Sequence, residues 1–211
     1  MFNPVAFDPE YDRELLEGSF HALRYRKQLE IIIDMEACEL VRKKIASGMT
    51  LPEDASLSIQ NLFRFILPQG KFYIAQCLFD FGYNTSSKTQ DFSDHRYEFQ
   101  VVGLAQTKVD LGNTIMRAET KADKIIGRFF GNDIDFEGTT LFNEKYYLVS
   151  DKKEALDDIF DKSFFETIGQ YDDLLLHVRH NELFITFDND FDIQHSRIIE
   201  DILAHCNFLE C

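Results

Sequence analysis

The chain has 211 residues and a formal net charge of −15, from 37 acidic and 22 basic side chains. Its share of 45% hydrophobic and 28% charged residues is ordinary globular usage and argues against a disordered chain. The negative charge argues against nucleic acid and anionic membrane surfaces as partners, because it repels phosphate groups, and it favours a basic protein partner.

The first predicted element is helical. Asp8 and Pro9 have the residue types of an N-cap and a first helical position. Apolar residues then recur at three- and four-residue spacing through residues 10–47, with Gly18 as a point of division and Gly48 as the stop. The basic run 42–44 before this stop is interpreted as a solvated helix end.

A second helix is predicted next. Thr50 and Glu53 have capping-box spacing, and an apolar pattern continues to Ile66 before Pro68. Residues 1–70 are therefore expected to form an N-terminal helical segment.

The pattern changes to that of strands after residue 70. Residues 72–83, 97–109 and 111–118 are rich in β-branched and aromatic side chains, and turn-like residues 84–87 separate the first two. Connections this short cannot make parallel crossovers, so an antiparallel meander is predicted.

A short helix over residues 121–130 and two neighbouring strands over 131–137 and 142–149 are predicted next. In the first strand, alternation places Asp133, Asp135 and Glu137 on one face and apolar side chains on the other. The expected sheet is therefore half core and half solvated surface.

Three elements are predicted for the C-terminal third. A helix capped by Asp151 and Glu154 is expected to run to Gly169. A hairpin of residues 174–179 and 183–188 turns at His180, and a last helix covers about residues 193–206. Residues 151–211 hold 15 acidic and five basic side chains, a net charge of −10.

The predicted fold class is α+β. N-terminal helices pack on a curved, mainly antiparallel sheet that two helices of the C-terminal region cover. The chain is expected to divide into a helical segment, residues 1–70, and an α+β domain, residues 71–211. The alternative is a single domain over residues 1–211. The 21 phenylalanines are interpreted as core filling, with a Phe-lined ligand cavity as the alternative.

Four stretches resemble a bacterial family of proteins that carry a domain of unknown function. They cover residues 78–83, 131–137, 142–149 and 173–185, within a resemblance that spans about 62–185. Many members of that family are anchored by N-terminal membrane segments, which we do not find in this chain. The resemblance implies a fold and no catalytic residues.

The acidic alternation is the first candidate site. Asp133, Asp135 and Glu137 could hold a divalent cation or act as acid and base, although such sites need groups that converge from several elements. We interpret the three side chains as a solvated face, so no catalytic residue, metal or cofactor is assigned.

A second candidate lies near the C-terminus. Asp188, Asp190 and Asp192 occupy the first, third and fifth positions of a possible calcium loop. The sixth position is Ile193 where glycine is needed, and the twelfth is Ile199 where glutamate is needed. Asp192 is better explained as a helix N-cap.

Histidine and cysteine spacing gives no further site. His177 and His180 differ in direction on strand and turn, and His195 and His205 lie about 15 Å apart on a helix. The four cysteines are widely separated, which favours a reducing compartment. We expect no secretory signal, no membrane span and a cytoplasmic protein.

Three functions follow as hypotheses. The first is a soluble, non-enzymatic module that binds a protein or a small apolar ligand. The second is an acidic, immunity-like partner that neutralises a basic toxin or nuclease. The third is an unrecognised carboxylate-dependent hydrolase. The oligomeric state is left open.

Overall fold

The structure is a computed structural model. It describes residues 14, 17–21, 23, 29–49, 51, 55–68, 70–87, 90–120, 134–189, 191–206 and 209–210. The side chains of residues 82–87, 90–95 and 158 are not part of this description.

Eight strands of the described residues form one antiparallel sheet with the order β1-β2-β3-β4-β8-β7-β5-β6. Their bounds are β1 Leu29–Ile32, β2 Ala55–Leu67, β3 Gly70–Ser87, β4 Gln90–Gln106, β5 Asn113–Ala118, β6 Tyr146–Ser150, β7 Leu174–Arg179 and β8 Glu182–Phe187.

Within the described ranges, five helices accompany the sheet, besides a helical stretch at residues 17–21. Their bounds are α1 Met35–Gly48, α2 Thr140–Lys145, α3 Lys153–Ile159, α4 Lys162–Ile168 and α5 His195–Ala204. The α+β class and the antiparallel sheet are confirmed. Among the described residues, none of the helices combines the length and apolar character required to cross a bilayer.

The two faces of the sheet are covered by different helices. On one face, which we call the α1 face, α1 packs on residues that include Leu62, Ala75, Val102, Leu104 and Phe184. On the other, the α5 face, α5 packs on a larger core. Successive strand residues point to opposite faces, so β2, β3 and β4 contribute to both cores.

The larger core contains most of the packed phenylalanines. The rings of Phe136 and Phe165 stack with centroids 3.9 Å apart, and those of Phe160 and Phe164 stack at 4.4 Å. Such ring pairs bury much apolar area in a small volume. The interpretation of these phenylalanines as core filling is confirmed.

The predicted helix over residues 10–47 is only partly right. α1 ends at Gly48 as expected, but it begins after Asp34, whose carboxylate accepts the N–H of Glu36 at 3.2 Å. Leu29–Ile32 is a strand instead, because a run of β-branched isoleucines pairs with β2 in an antiparallel register.

The predicted helix over residues 50–66 is wrong, since Ala55–Leu67 is strand β2. A bulge between Ile59 and Asn61 shifts the register by one residue. Leu57 and Leu62 therefore both face α1 despite their odd spacing, and the resulting mixed pattern resembles a helical one. The proposed boundary at residue 70 falls at the first residue of β3, which pairs with the last residue of β2.

Strands β3 and β4 pair antiparallel, as the predicted meander requires. The turn predicted at residues 84–87 is wrong, because these residues lie inside β3. β5 does not continue the meander, because β8 occupies the place beside β4 and β5 pairs with β6 and β7. The helix predicted over residues 121–130 lies outside the described residues.

The two strands predicted over 131–137 and 142–149 are mostly wrong. Residues 134–136 have no regular structure, although the N–H of Ile134 donates to the carbonyl of Leu148 at 2.9 Å. Residues 140–145 form α2, and the strand begins only at Tyr146. The expected alternation of burial is confirmed even so: Ile134 is buried, Phe136 packs on the core, and Asp135 and Glu137 are exposed.

The helix predicted after Asp151 is two helices. Asp161 interrupts it and caps α4 by accepting the N–H of Phe164 at 2.9 Å, which leaves Gly169 as the stop. The Asp151 carboxylate instead accepts the backbone N–H of Asn113 at 2.8 Å. The hairpin about His180 and the final helix are confirmed, and His180 adopts a positive φ of 59°.

Candidate functional site

A cleft of about 220 Å³ lies between α1 and the sheet. Its wall on the helix is Ala37, Leu40, Val41 and Lys44, and its floor is Lys71, Tyr73, Leu104, Ala105 and Gln106 of β3 and β4. It is open to solvent at one side, where Leu40 is 58% exposed. An exposed apolar side chain over a concave apolar floor is a feature of binding sites.

The C-terminal end of α1 is fixed to the sheet by close packing. A Cβ atom at Gly48 would lie 2.3 Å from two ring carbons of Phe184, so only glycine lets the helix approach this closely.

Polar contacts hold the same helix end. The Arg179 guanidinium donates to the carbonyl of Ser47 at 2.9 Å, and Lys44 Nζ lies 2.5 Å from Glu182 Oε1. His177 bonds the backbone of Gly48, and burial lowers the pKa of this histidine against the smaller opposite effect of that bond. The bond from Arg179 satisfies one of the carbonyls that the last helical turn leaves open.

The cleft has a polar end and an apolar end. Phe72 pairs with Ala105, which places Lys71 opposite Gln106, and Gln106 pairs in turn with Glu182. Because Lys44 bonds Glu182, the polar groups of helix and sheet meet at the same end of the cleft.

The apolar end lies one step further into the sheet. Tyr73 and Leu104 are each two residues from the polar pair and point to the same face, about 7 Å away along the strands. Val41 and Leu40 cover them from α1, one helical turn before Lys44.

The nine residues that line the cleft include two lysines and no acid. This local composition is opposite to the charge of the whole chain, −15. Beside the cleft floor, Arg64 bonds the Glu30 carboxylate, which raises the pKa of Arg64, and the Tyr73 hydroxyl adds a smaller contribution.

Of the carboxylates considered as a first candidate site, Asp135 and Glu137 are exposed on an irregular segment, and Asp133 lies outside the described residues. In the part of the chain that the structure describes, three or more histidine, cysteine, aspartate or glutamate side chains do not gather in a geometry that could hold a metal ion.

The calcium-like run is also a loop with other contacts. The N–H of Asp188 donates to the Asp173 carbonyl at 2.7 Å, and Asp190 lies outside the described residues. Asp192 was predicted to cap the last helix, but α5 begins after Gln194, and the Asp192 carboxylate accepts the Gln194 N–H at 2.7 Å.

The histidines are separate, as their spacing predicts. His195 stacks on Phe187 with ring centroids 3.8 Å apart, and its Nδ1 accepts the Asp192 N–H at 3.3 Å. Burial lowers the pKa of His195, against smaller opposite effects of Asp192 and Asp173. His177 lies below α1, and His180 lies in the hairpin turn.

Sequence reasoning missed both lysines of the cleft. Lys44 belongs to the basic run interpreted as a solvated helix end, yet its side chain is only 34% exposed. Lys71 begins a strand after a turn and carries no local signal. Only the spacing of Ala37, Val41 and Lys44 on one side of α1 could have indicated a shared face.

Comparison of the chain with protein-family models, with curated proteins and with solved structures finds no match. The resemblance to a bacterial family therefore stays a prediction. The function has to be argued from the cleft.

Proposed function

We propose that this chain is a non-enzymatic binding module whose cleft between α1 and the sheet holds a small apolar ligand. The observation that carries the proposal is a concave, largely apolar space of about 220 Å³ beneath the half-exposed Leu40. Burying apolar ligand surface there would be favourable at roughly 25 cal/mol per Å².

The size of the cleft limits the ligand. Sites for drug-sized molecules occupy roughly 300–1,000 Å³. At about 220 Å³, this cleft suits a smaller molecule, or a chain whose end extends into solvent. Its lining contains one aromatic residue, Tyr73, and no phenylalanine, so it differs from the Phe-lined cavity that composition suggested as an alternative.

The absence of tryptophan from the chain allows a specific test. Leu40→Trp places the only indole at the mouth of the cleft, and Leu141→Trp places one on α2 at a residue of nearly equal exposure, 57%. Titration with octanol should change the fluorescence of the Leu40→Trp protein in a saturable way and leave the Leu141→Trp protein unchanged.

A cleft-filling variant completes this test. Ala37→Leu adds apolar volume inside the cleft and keeps good helix propensity, so it should weaken octanol binding about tenfold without unfolding α1. Calorimetry can measure this on the protein without tryptophan. If the parent protein and Ala37→Leu bind octanol equally, or if neither binds it, the cleft is not the site.

A second candidate is the acidic, immunity-like partner of a basic protein. The net charge of −15 favours it, because opposite charge speeds encounter with a cationic target. Saturable, salt-sensitive binding of a small basic protein that survives Ala37→Leu would favour this function over the first. We place either function in the cytoplasm, where the free thiols of Cys38, Cys77 and Cys206 would stay reduced.

A further inference from the structure

We infer that the edge of the sheet at β1 pairs with β1 of a second copy of this chain, antiparallel and about a two-fold axis at Ile31. The inference goes beyond the binding cleft, because the residues that line the cleft belong to α1, β3 and β4. It follows from an open strand edge, an exposed apolar run and the order of charges along the chain.

Strand β1 is an end strand of the described sheet and pairs there on one side, with β2. The opposite end of the sheet is β6, where the backbone N–H of Ile134 donates to the carbonyl of Leu148 at 2.9 Å. An edge strand presents backbone N–H and C=O groups that can pair with another chain. Of the two ends of the described sheet, β1 is therefore the one suited to such pairing.

The side chains at this edge are apolar and exposed. Ile31 is 44% exposed, and Ile33 and Met35, which follow the strand, are 90% and 85% exposed. Proteins commonly protect an edge strand with lysine or proline. Residues 29–33 contain neither, and the charged residue among them, Glu30, pairs with Arg64 of β2. An apolar edge of this kind favours association with another strand.

Symmetry leaves few ways to pair two copies of this strand. A two-fold axis perpendicular to the sheet makes the two edge strands antiparallel and places one residue opposite its own copy. An axis at Glu30 would set that glutamate opposite itself, and an axis at Ile32 would set Glu30 opposite Asp34. Like charges directly opposite each other are destabilising. An axis at Ile31 avoids both contacts and gives the register that we infer.

Pairing about Ile31 joins apolar side chains of the two copies. Ile31 lies opposite Ile31 of the second copy, and Leu29 lies opposite its Ile33. Within one copy, Leu29 and Ile31 pair with Phe65 and Phe63 of β2, which belong to the larger core. The apolar layer on the α5 face would therefore continue from one copy into the next.

The charges that flank the strand favour a second copy as the partner. In the sequence, the basic residues Arg26 and Lys27 precede β1, and the acidic residues Asp34 and Glu36 follow it. Asp34 and Glu36 are exposed. Antiparallel pairing brings the end that follows β1 in one copy toward the end that precedes it in the other. The same strand of a second copy is thus complementary in charge at both ends.

The contact is small. Each copy contributes a strand of four residues and three exposed apolar side chains. Interfaces below about 1,200 Å² are typical of weak complexes. The net charge of −15 on each copy adds a general repulsion. We therefore expect a dimer with a Kd on the order of 100 µM.

Analytical ultracentrifugation of the parent protein from about 5 to about 500 µM measures this dimer. The average mass should rise with concentration from that of one chain toward that of two. Ile31→Lys sets two positive charges opposite each other and should weaken the dimer at least about tenfold. Ile115→Lys is the matched control and should leave the dimer unchanged, because Ile115 is similarly exposed, 39%, on the inner strand β5.

A mixing experiment tests the register. Ile31→Lys and Ile31→Glu should each be monomeric at about 100 µM, because like charges then face each other across the axis. An equal mixture of the two variants should form a heterodimer, since the introduced lysine and glutamate lie opposite each other when the strands pair about residue 31. The corresponding mixture at Ile115 should behave like the parent.

Several outcomes would overturn the inference. They are a parent that stays monomeric over the whole range, a dimer that survives Ile31→Lys, equal weakening by Ile31→Lys and Ile115→Lys, and an Ile31 mixture that stays monomeric. Binding of an alternating Lys–Val peptide to a monomeric parent would assign the edge to a basic protein instead. Unchanged circular dichroism and melting temperature show that each variant is folded. These results do not depend on whether octanol binds the cleft.

Discussion

The contact between Gly48 and Phe184 gives a prediction in which two known effects oppose each other. Gly48 lies in the last turn of α1 with helical backbone, so Gly48→Ala should gain about 1 kcal/mol of helix propensity. The new Cβ atom would meet the Phe184 ring at 2.3 Å, far below ordinary contact. Overpacking of this kind costs roughly 1–3 kcal/mol.

The packing effect should exceed the propensity effect, because Phe184 is 1% exposed and lies inside the sheet. We expect Gly48→Ala to lower the free energy of unfolding by up to about 2 kcal/mol, the difference of the two effects. A chain of this size should then melt up to roughly 8 °C lower, at about 2–4 °C for each kcal/mol.

Urea denaturation followed by circular dichroism measures this change, and a double-mutant cycle with Phe184→Leu assigns its cause. In the Phe184→Leu background the ring atoms that meet the Cβ atom are gone, so Gly48→Ala should be neutral or stabilising. Ser47→Ala, at an exposed neighbour, should change stability by less than about 0.5 kcal/mol. A Gly48→Ala protein that is more stable than the parent would refute the packing of α1 on Phe184.

Two further predictions concern the opposite face of the sheet. Gln76→Leu removes the centre of a buried hydrogen-bond network, in which the Gln76 side chain accepts from Asn61 at 2.7 Å and donates to Ser19 at 2.7 Å. Each buried polar group that loses its partner costs about 1–3 kcal/mol. Urea denaturation should show a loss of roughly 2–4 kcal/mol, against little change for the exposed Gln60→Ala, and equal stability of the two variants would contradict the network. Burial lowers the pKa of His195 below its value in the unfolded chain, about 6.5. Below that pH the unfolded chain binds more protons than the folded one, so the free energy of unfolding should fall as the pH drops from about 6.5. His195→Phe should flatten this fall in stability between about pH 7 and 5, and His205→Gln, at an exposed histidine, should not. Identical pH profiles of stability for the parent and His195→Phe would count against a buried, neutral imidazole.

The elements that sequence predicts well have local causes. The hairpin about His180 follows from a turn residue between two apolar runs, and α5 follows from a regular apolar stripe that includes Ile199 and Leu203. The break between α3 and α4 has a local signal as well, because Asp161 is a suitable N-cap, but a continuous apolar face concealed it.

The elements that sequence predicts poorly depend on distant residues. The bulge in β2 changes the apparent period of its apolar residues, and only the pairing with β3 shows that it is a strand. The position of β8 between β4 and β7 likewise depends on long-range pairing.

The cleft could not be predicted for the same reason. Its lysines come from α1 and β3, and the link between them passes through Gln106 and Glu182 on two further strands. None of these residues has a distinctive local pattern, whereas the described carboxylates of the patterned acidic runs are exposed. Local charge patterns thus indicated solvent-exposed side chains, while the cleft is formed by tertiary packing.

A crystal structure of the parent protein with octanol tests the proposed binding cleft most directly. We expect the hydrocarbon chain to lie between Leu40 and the floor of Tyr73 and Leu104. A chain bound elsewhere, or α1 lying flat on the sheet with the cleft closed, would contradict this proposal.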